Sequence, residues 1–140
     1  MGGIVRFDMK AKLPGSIFTT VLLCGCGLVH DEHLTGPYRL IAVDTLDQMG
    51  VSYSLPGGDA VGRIPETVFS VGWNSRYLVA KQHPKNDRNI THFYYLDMSR
   101  DSLYADPSAS VTGPLSESEF DRKRAELGLP EFTRSIQSLR

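Results

Sequence analysis

The chain of 140 residues is 41% hydrophobic and 22% charged, a composition typical of one globular domain. Its 15 basic and 16 acidic residues give a formal net charge of -1. This balance provides no global positive field to attract nucleic acid or anionic lipid. A nucleic-acid partner is therefore disfavoured.

The N-terminus is arranged like an export signal. Arg6, Lys10 and Lys12 precede an apolar-leaning run at 13–23, and small residues follow it. A helix that spans a bilayer needs roughly twenty residues, so this run is too short to be one. Met9 is an alternative start, because the basic region that follows it is more compact.

The segment Leu23-Cys24-Gly25-Cys26 resembles the lipobox of bacterial lipoproteins, in which a small residue precedes a cysteine that is acylated. The resemblance implies that residues 1–25 are a signal peptide ending in the signal-peptidase motif Leu23, Cys24 and Gly25. Cys26 would then be the lipidated first residue of an envelope protein that faces the periplasm. Gly27, standing where aspartate would suggest inner-membrane retention, favours the outer membrane by analogy. The alternative is a buried N-terminal strand or helix with both cysteines in the core.

Residues 26–36 combine the lipidated cysteine with a polar stretch, which predicts a short tether that lifts the domain off the membrane. His30, Asp31, Glu32 and His33 carry donor atoms suited to zinc or copper, but nothing caps a helix that would bring the two histidines to one face. A solvated linker without metal is the simpler interpretation. Cleavage before Cys26 would leave 12 basic and 15 acidic residues and no second cysteine, so the domain at 37–140 would depend on packing alone.

The middle of the chain has the alternation and the β-branched and aromatic enrichment of strands. Five strands are predicted, at 38–44, 49–54, 67–73, 77–82 and 90–98. Asn74-Ser75 is predicted to form a tight turn between two of them. Because the connections are too short for helical crossovers, the strands should form an antiparallel meander.

The C-terminal part changes to a helical pattern. Ser116-Glu117-Ser118-Glu119 is a capping box, Phe120 and Leu127 share a face, and Gly128 is a helix stop. Residues 131–140 would add a short frayed helix. The predicted fold class is therefore α+β: a small antiparallel meander of about five strands with a C-terminal helix packed on or beside the sheet.

Two segments resemble a family of small bacterial lipoproteins with no assigned function. They are residues 71–82, which contain Gly72-Trp73-Asn74 and Tyr77, and residues 112–120, which contain Gly113-Pro114-Leu115-Ser116 and Phe120. The resemblance covers about residues 35–128. Both motifs are structural, and the family implies no catalytic residues.

Catalytic and cofactor-binding motifs are missing from the sequence. His83 precedes Pro84 at a strand end, where a surface position is expected, and His92 should be a packed or edge histidine within a strand. Asp44 and Asp47 could pair for acid–base chemistry, but aspartates beside a turn usually cap it. No cofactor or metal is expected, and an enzyme is unsupported.

Five aromatic residues suggest a binding patch. Because neighbours in a strand face opposite ways, the consecutive aromatics of the last strand cannot all enter one core. At least one should lie outside, and exposed tyrosine beside cations is typical of protein-binding surfaces. The alternative is a second layer, formed by the Ser116 helix, over that face. The candidate patch comprises Trp73, Tyr77, Phe93, Tyr94 and Tyr95.

The first functional hypothesis is a lipid-anchored, non-catalytic binding module in the envelope, for example an inhibitor or immunity protein acting on a periplasmic protein. The second is an accessory or structural lipoprotein of an envelope complex. The third is a small hydrolase using His92 or His83 with a nearby aspartate. A neighbouring toxin gene would favour the first hypothesis, and a cell-envelope operon would favour the second. The sequence does not indicate the oligomeric state.

Overall fold

A computed structural model of the chain describes residues 27–140. The predicted signal peptide with Leu23, Cys24 and Gly25, and the predicted lipidation site Cys26, lie outside the described residues.

Nine strands and one α-helix are found between residues 27 and 140. The strands are β1 His30–Thr35, β2 Tyr38–Ala42, β3 Gly50–Ser54, β4 Ala60–Ile64, β5 Val68–Trp73, β6 Tyr77–Gln82, β7 His92–Asp97, β8 Val111–Leu115 and β9 Arg134–Ser135. The helix, α1, is Glu117–Leu127. Short 3-10 turns fill several of the connections, among them Leu46–Gln48, Pro84–Asn86 and Met98–Arg100.

The strands form two antiparallel sheets, with the orders β1-β2-β3-β4 and β8-β7-β6-β5-β9. The predicted α+β class with a C-terminal helix is confirmed. The predicted single meander of about five strands is too small, because β1, β4, β8 and β9 extend the edges of two separate sheets.

The two sheets pack face to face, and α1 covers the outer face of the second sheet. Side chains of β7 alternate between the two faces of the second sheet. Tyr94 and Leu96 pack into the core shared by the two sheets, whereas Phe93 and Tyr95 pack into a second cluster with Phe120 of α1. A sheet covered on both faces needs apolar residues at consecutive positions, which explains the unbroken aromatic run.

The predicted tether is wrong for residues 30–35. These residues form β1, in which His30 pairs with Ala42 of β2. Glu32 accepts two hydrogen bonds from Arg134 of β9, with Nε–Oε2 at 2.8 Å and Nη2–Oε1 at 2.9 Å. The hydrogen bonds from Arg134 hold the pKa of the Glu32 carboxyl below its usual range. The polar residues of β1 therefore join an edge of the first sheet to an edge of the second.

The start of β1 defines one end of the sandwich, which we name the entry end. The loop after Ala42 returns there, where Val68 N donates to Met49 O at 2.8 Å. The opposite end, which we name the far end, carries the turns at Gly36 and Asn74, which line one common depression with Met98. A six-residue strand rises about 20 Å, at about 3.3 Å per residue, so the two ends are separated by roughly that distance.

The predicted helix start and stop are confirmed. Glu119 N donates to Ser116 Oγ at 3.2 Å, and Ser116 N donates to Glu119 Oε1 at 2.8 Å, which completes the capping box. Gly128 ends the helix with φ at 71°. The frayed helix predicted for residues 131–140 is wrong, because this segment forms the short strand β9 and a 3-10 turn at Gln137–Leu139. The pairing of β9 with β5 satisfies backbone groups that a frayed helix would leave to solvent.

The two motifs of the predicted family resemblance have structural roles. Asn74 closes the β5–β6 turn, since its Oδ1 accepts hydrogen bonds from Arg76 N and Tyr77 N at 2.9 and 2.7 Å. Gly113 lies against the ring of Tyr94, where a Cβ would approach a ring carbon to 2.4 Å. The hydrogen bonds to Asn74 Oδ1 confirm the predicted turn at Asn74-Ser75.

Replacing Gly72 with alanine is expected to lower the free energy of unfolding by about 1–3 kcal/mol, the usual range for overpacking, or by more. A Cβ at this position would lie 1.8 Å from the carbonyl oxygen of Glu131, so the C-terminal segment would have to move away from β5. Gly62→Ala is the matched control, because no atom lies within 4 Å of its Cβ position. Urea denaturation of both variants checks the prediction, and equal stability of the two would contradict the proposed close approach.

Candidate functional site

The predicted aromatic patch is not an exposed surface. Four of its members are between 6% and 9% exposed, and the fifth is partly buried against the core between the sheets. The alternative, a second layer formed by the Ser116 helix, is confirmed by the packing of α1 on Phe93. The members are Tyr77, Phe93, Tyr94 and Tyr95, which are buried, and Trp73, which is partly buried.

The two histidines considered for catalysis occupy structural positions. His83, predicted at the surface, is 5% exposed; its ring stacks on Phe69 with centroids 4.1 Å apart. Its Nδ1 donates to Ile90 O at 2.8 Å. His92 is at the start of β7, as predicted for an edge or packed histidine, with Nδ1 at 3.3 Å from the amide oxygen of Gln82. These contacts are with a carbonyl and an amide, so they lack the carboxylate partner that the hydrolase hypothesis requires.

Of the two turn aspartates, Asp47 makes a local contact through its side chain, and Asp44 makes one through its backbone. Asp47 accepts a hydrogen bond from the Thr45 hydroxyl, and the backbone N–H of Asp44 is bonded to Gln48 Oε1 at 2.9 Å. Across residues 27–140, no cluster of three or more histidine, cysteine, aspartate or glutamate side chains is placed to hold a metal ion. The same part of the chain contains no helix long and apolar enough to cross a membrane.

The feature with the strongest ligand-binding chemistry is a polar cavity of about 230 Å³ at the far end, which we name the cationic pocket. It lies between the second sheet and α1. Three cationic side chains and one carboxylate line it, together with hydroxyl-bearing residues. The lining comprises Arg76, Tyr77, Tyr95, Asp97, Arg100, Ala109, Ser110, Thr112, Lys123 and Leu127.

The wall of the cationic pocket is built around Asp97 at the end of β7. Arg76 donates to both of its carboxylate oxygens, with Nε–Oδ1 at 3.2 Å and Nη2–Oδ2 at 2.9 Å. Ser99 donates to Oδ1 through its hydroxyl at 2.6 Å. Arg76, and to a lesser extent Ser99, hold the pKa of the Asp97 carboxyl below its usual range, against the opposing effect of burial. Asp97 therefore stays ionised and fixes the Arg76 guanidinium at the pocket.

The other two cations leave the pocket with unbalanced positive charge. Arg100 is exposed and, within residues 27–140, forms no ion pair. Lys123 of α1 contacts Glu126 at 3.2 Å, but this pair is on the solvent side, with the Glu126 side chain 60% exposed. Since exposed pairs contribute little, the Lys123 ammonium can exchange that partner for a ligand. The pocket is thus a local cationic site on a domain that is acidic overall.

A second charged cluster near the far end is structural. Arg63 of β4 donates to Asp101 Oδ2 at 2.8 Å, and these side chains are 2% and 0% exposed. Tyr38 donates to the same oxygen at 2.8 Å. Burial, followed by the hydrogen bond to Asp101, raises the pKa of the Tyr38 phenol. The cluster is enclosed and internally satisfied, so it fixes the loop after β7 rather than presenting a binding site.

Sequence reasoning missed both clusters. Their members are on different strands, loops and, for Lys123, the helix, so no local spacing identifies them. The signal that was available is the pairing of the predicted strands at 77–82 and 90–98, which places Tyr77 opposite Asp97. That pairing brings Arg76 and Asp97 together once the register is known.

A family model described as "Protein of unknown function (DUF3997)" matches residues 35–134. The match spans β2 to β8, the helix and the start of β9, so it includes every residue that lines the cationic pocket. The chain belongs to this family. No curated protein and no solved structure matches the chain significantly.

Proposed function

We propose that the protein is a lipid-anchored binding module of the bacterial envelope that holds an acidic group of a periplasmic protein in the cationic pocket and catalyses no reaction. An inhibitor or immunity protein would be one form of this function. The support for the anchor is the resemblance of the segment ending at Cys26 to a lipobox. The observation that supports binding is the convergence of Arg76, Arg100 and Lys123 on one cavity with a single carboxylate.

The geometry favours a carboxylate-bearing ligand. Guanidinium groups present fixed N–H donors that match the two oxygens of a carboxylate, and such charge-assisted hydrogen bonds are stronger than neutral ones. Arg76 is held in place by Asp97 and lies over the Tyr77 ring at 5.2 Å. A preorganised cation loses less conformational entropy on binding than a free one.

Removing the two cations not tied to Asp97 tests this proposal. The double variant Arg100→Ala, Lys123→Ala should weaken binding at least about tenfold, because each charge-assisted hydrogen bond contributes roughly 1.5–3 kcal/mol and tenfold corresponds to about 1.4 kcal/mol. The measurement is crosslinking and pull-down of the anchored protein from its native envelope with quantitative mass spectrometry, followed by titration of the purified partner.

The matched control is Arg39→Ala, Lys85→Ala, which removes the same charge outside the pocket. It should retain the partner and its affinity. Equal recovery of a stoichiometric partner by the pocket variant and the control would contradict the pocket assignment. The absence of any stoichiometric partner of the unaltered protein would contradict the binding function.

A further inference from the structure

We infer that the entry end of the sandwich rests directly in the headgroup region of the bilayer, with an apolar patch of Leu28, Val29, Val43 and Leu46 against lipid. This inference rests on the proposed anchor at Cys26. It replaces the predicted tether, which would have lifted the domain away from the membrane.

The first argument is the length of the connection. Only Gly27, Leu28 and Val29 separate Cys26 from β1, and Val29 N already donates to Ala42 O at 3.0 Å. Three extended residues span at most about 10 Å, at about 3.3–3.6 Å each. The acyl chains of a lipidated Cys26 would lie in the hydrocarbon core, and the headgroup layer above them is itself several ångströms thick. The entry end is therefore held within about 10 Å of the lipidated residue, which places it in the headgroup region or at its outer edge.

The second argument is the distribution of exposed apolar side chains. Leu28 and Val29 are each 50% exposed, Val43 is 46% exposed and Leu46 is 39% exposed. Because His30 pairs with Ala42, the antiparallel register places Val29 beside Val43. Exposed apolar side chains that lie together, rather than scattered singly, mark sites of contact with a protein or a membrane. Here the group lies at the point where the chain leaves for Cys26.

The third argument concerns the charges around the patch, which indicate whether its contact with lipid is electrostatic or apolar. Asp44 and Asp47 lie on the same loop as Val43 and Leu46, whereas Lys85 lies on the neighbouring turn Pro84–Asn86, which packs against Leu46–Gln48. This mixture of signs gives no strong attraction to anionic lipid. Burial of apolar side chains at the membrane interface then supplies most of the binding free energy. The domain should therefore contact a membrane of zwitterionic lipid.

The orientation has a functional consequence. With the entry end at the bilayer, the far end and its cationic pocket lie on the side away from the membrane. Their distance from the entry end is roughly the length of a six-residue strand, about 20 Å. The pocket is then open to the periplasm, beyond the headgroup layer. The short connection and the apolar patch together fix this orientation, which a long flexible tether would leave free.

The test uses the lipidated protein, purified from membranes and reconstituted into vesicles of phosphatidylcholine and phosphatidylethanolamine. Lipidation consumes the Cys26 thiol and signal-peptide cleavage removes Cys24, so a cysteine introduced by Leu46→Cys can be labelled selectively with an environment-sensitive fluorophore. Tyr104→Cys is the matched control, since Tyr104 is 92% exposed and contributes to a groove with Val61, near the start of β4 at the far end.

In vesicles carrying nitroxide-labelled headgroups, the fluorophore at position 46 should lose most of its emission and shift to the blue. The fluorophore at position 104 should keep its emission. Protein that floats with the vesicles but shows equal quenching at both positions, or at neither, would overturn the orientation and leave the anchor standing. Protein that does not float with the vesicles would overturn the proposed anchor, and this inference with it.

Discussion

Replacing Asp101 with alanine is expected to destabilise the fold by about 3–5 kcal/mol, the range for removing one partner of a buried ion pair. The variant would leave the Arg63 guanidinium buried without its carboxylate and would remove the hydrogen-bond acceptor of Tyr38. Chemical denaturation monitored by circular dichroism gives the free energy of unfolding directly.

Two controls test whether the loss of stability comes from the burial of this ion pair or only from the removal of one charge. Asp31→Ala breaks the pair with Arg39, whose side chains are 37% and 31% exposed, and should change stability by at most about 1 kcal/mol. The double variant Arg63→Met, Asp101→Leu removes both buried charges and should be more stable than Asp101→Ala alone. Similar losses for Asp101→Ala and Asp31→Ala would contradict the enclosed cluster.

Phe120→Ala is expected to destabilise the protein by about 3–5 kcal/mol, as for other large aromatic truncations in cores. Phe120 is 0% exposed, and its ring centroid lies 5.1 Å from Phe93 and 5.5 Å from Phe132. It is the main side chain through which α1 covers the second sheet. Thermal and urea unfolding of the purified variant measure the loss.

The control for this variant is Tyr104→Ala. Tyr104 is 92% exposed, so its removal should alter stability by no more than about 0.5 kcal/mol. A Phe120→Ala variant as stable as Tyr104→Ala would mean that the helix does not cover the sheet in solution. The face of the predicted aromatic patch would then be open, and the original binding-patch hypothesis would regain its basis.

The predicted strands correspond to the interior strands of the two sheets, β2, β3, β5, β6 and β7. The four missed strands are all edges. An interior strand is paired on both sides and usually packed on at least one face, so its apolar alternation is strong. An edge strand tolerates polar residues, glycine and proline, as in the HDEHLT of β1 and the Gly113-Pro114 of β8.

The helix could be predicted from the sequence and the site could not, because their signals differ in range. The capping box at Ser116 and the stop at Gly128 are local signals, each readable within a few residues. The cationic pocket depends on the register of β6 with β7 and on the placement of α1 across them. Those are tertiary facts that residue spacing alone does not determine.

The central claim, that Cys26 carries a lipid that holds the domain at the envelope, is tested most directly by metabolic labelling with a radioactive fatty acid. We expect the label in the unaltered protein and in Cys24→Ala, and intact-mass analysis should place a diacylglyceryl-modified N-terminus at residue 26. The label should disappear in Cys26→Ala. Absence of label from the unaltered protein, or undiminished label in Cys26→Ala, would contradict the account.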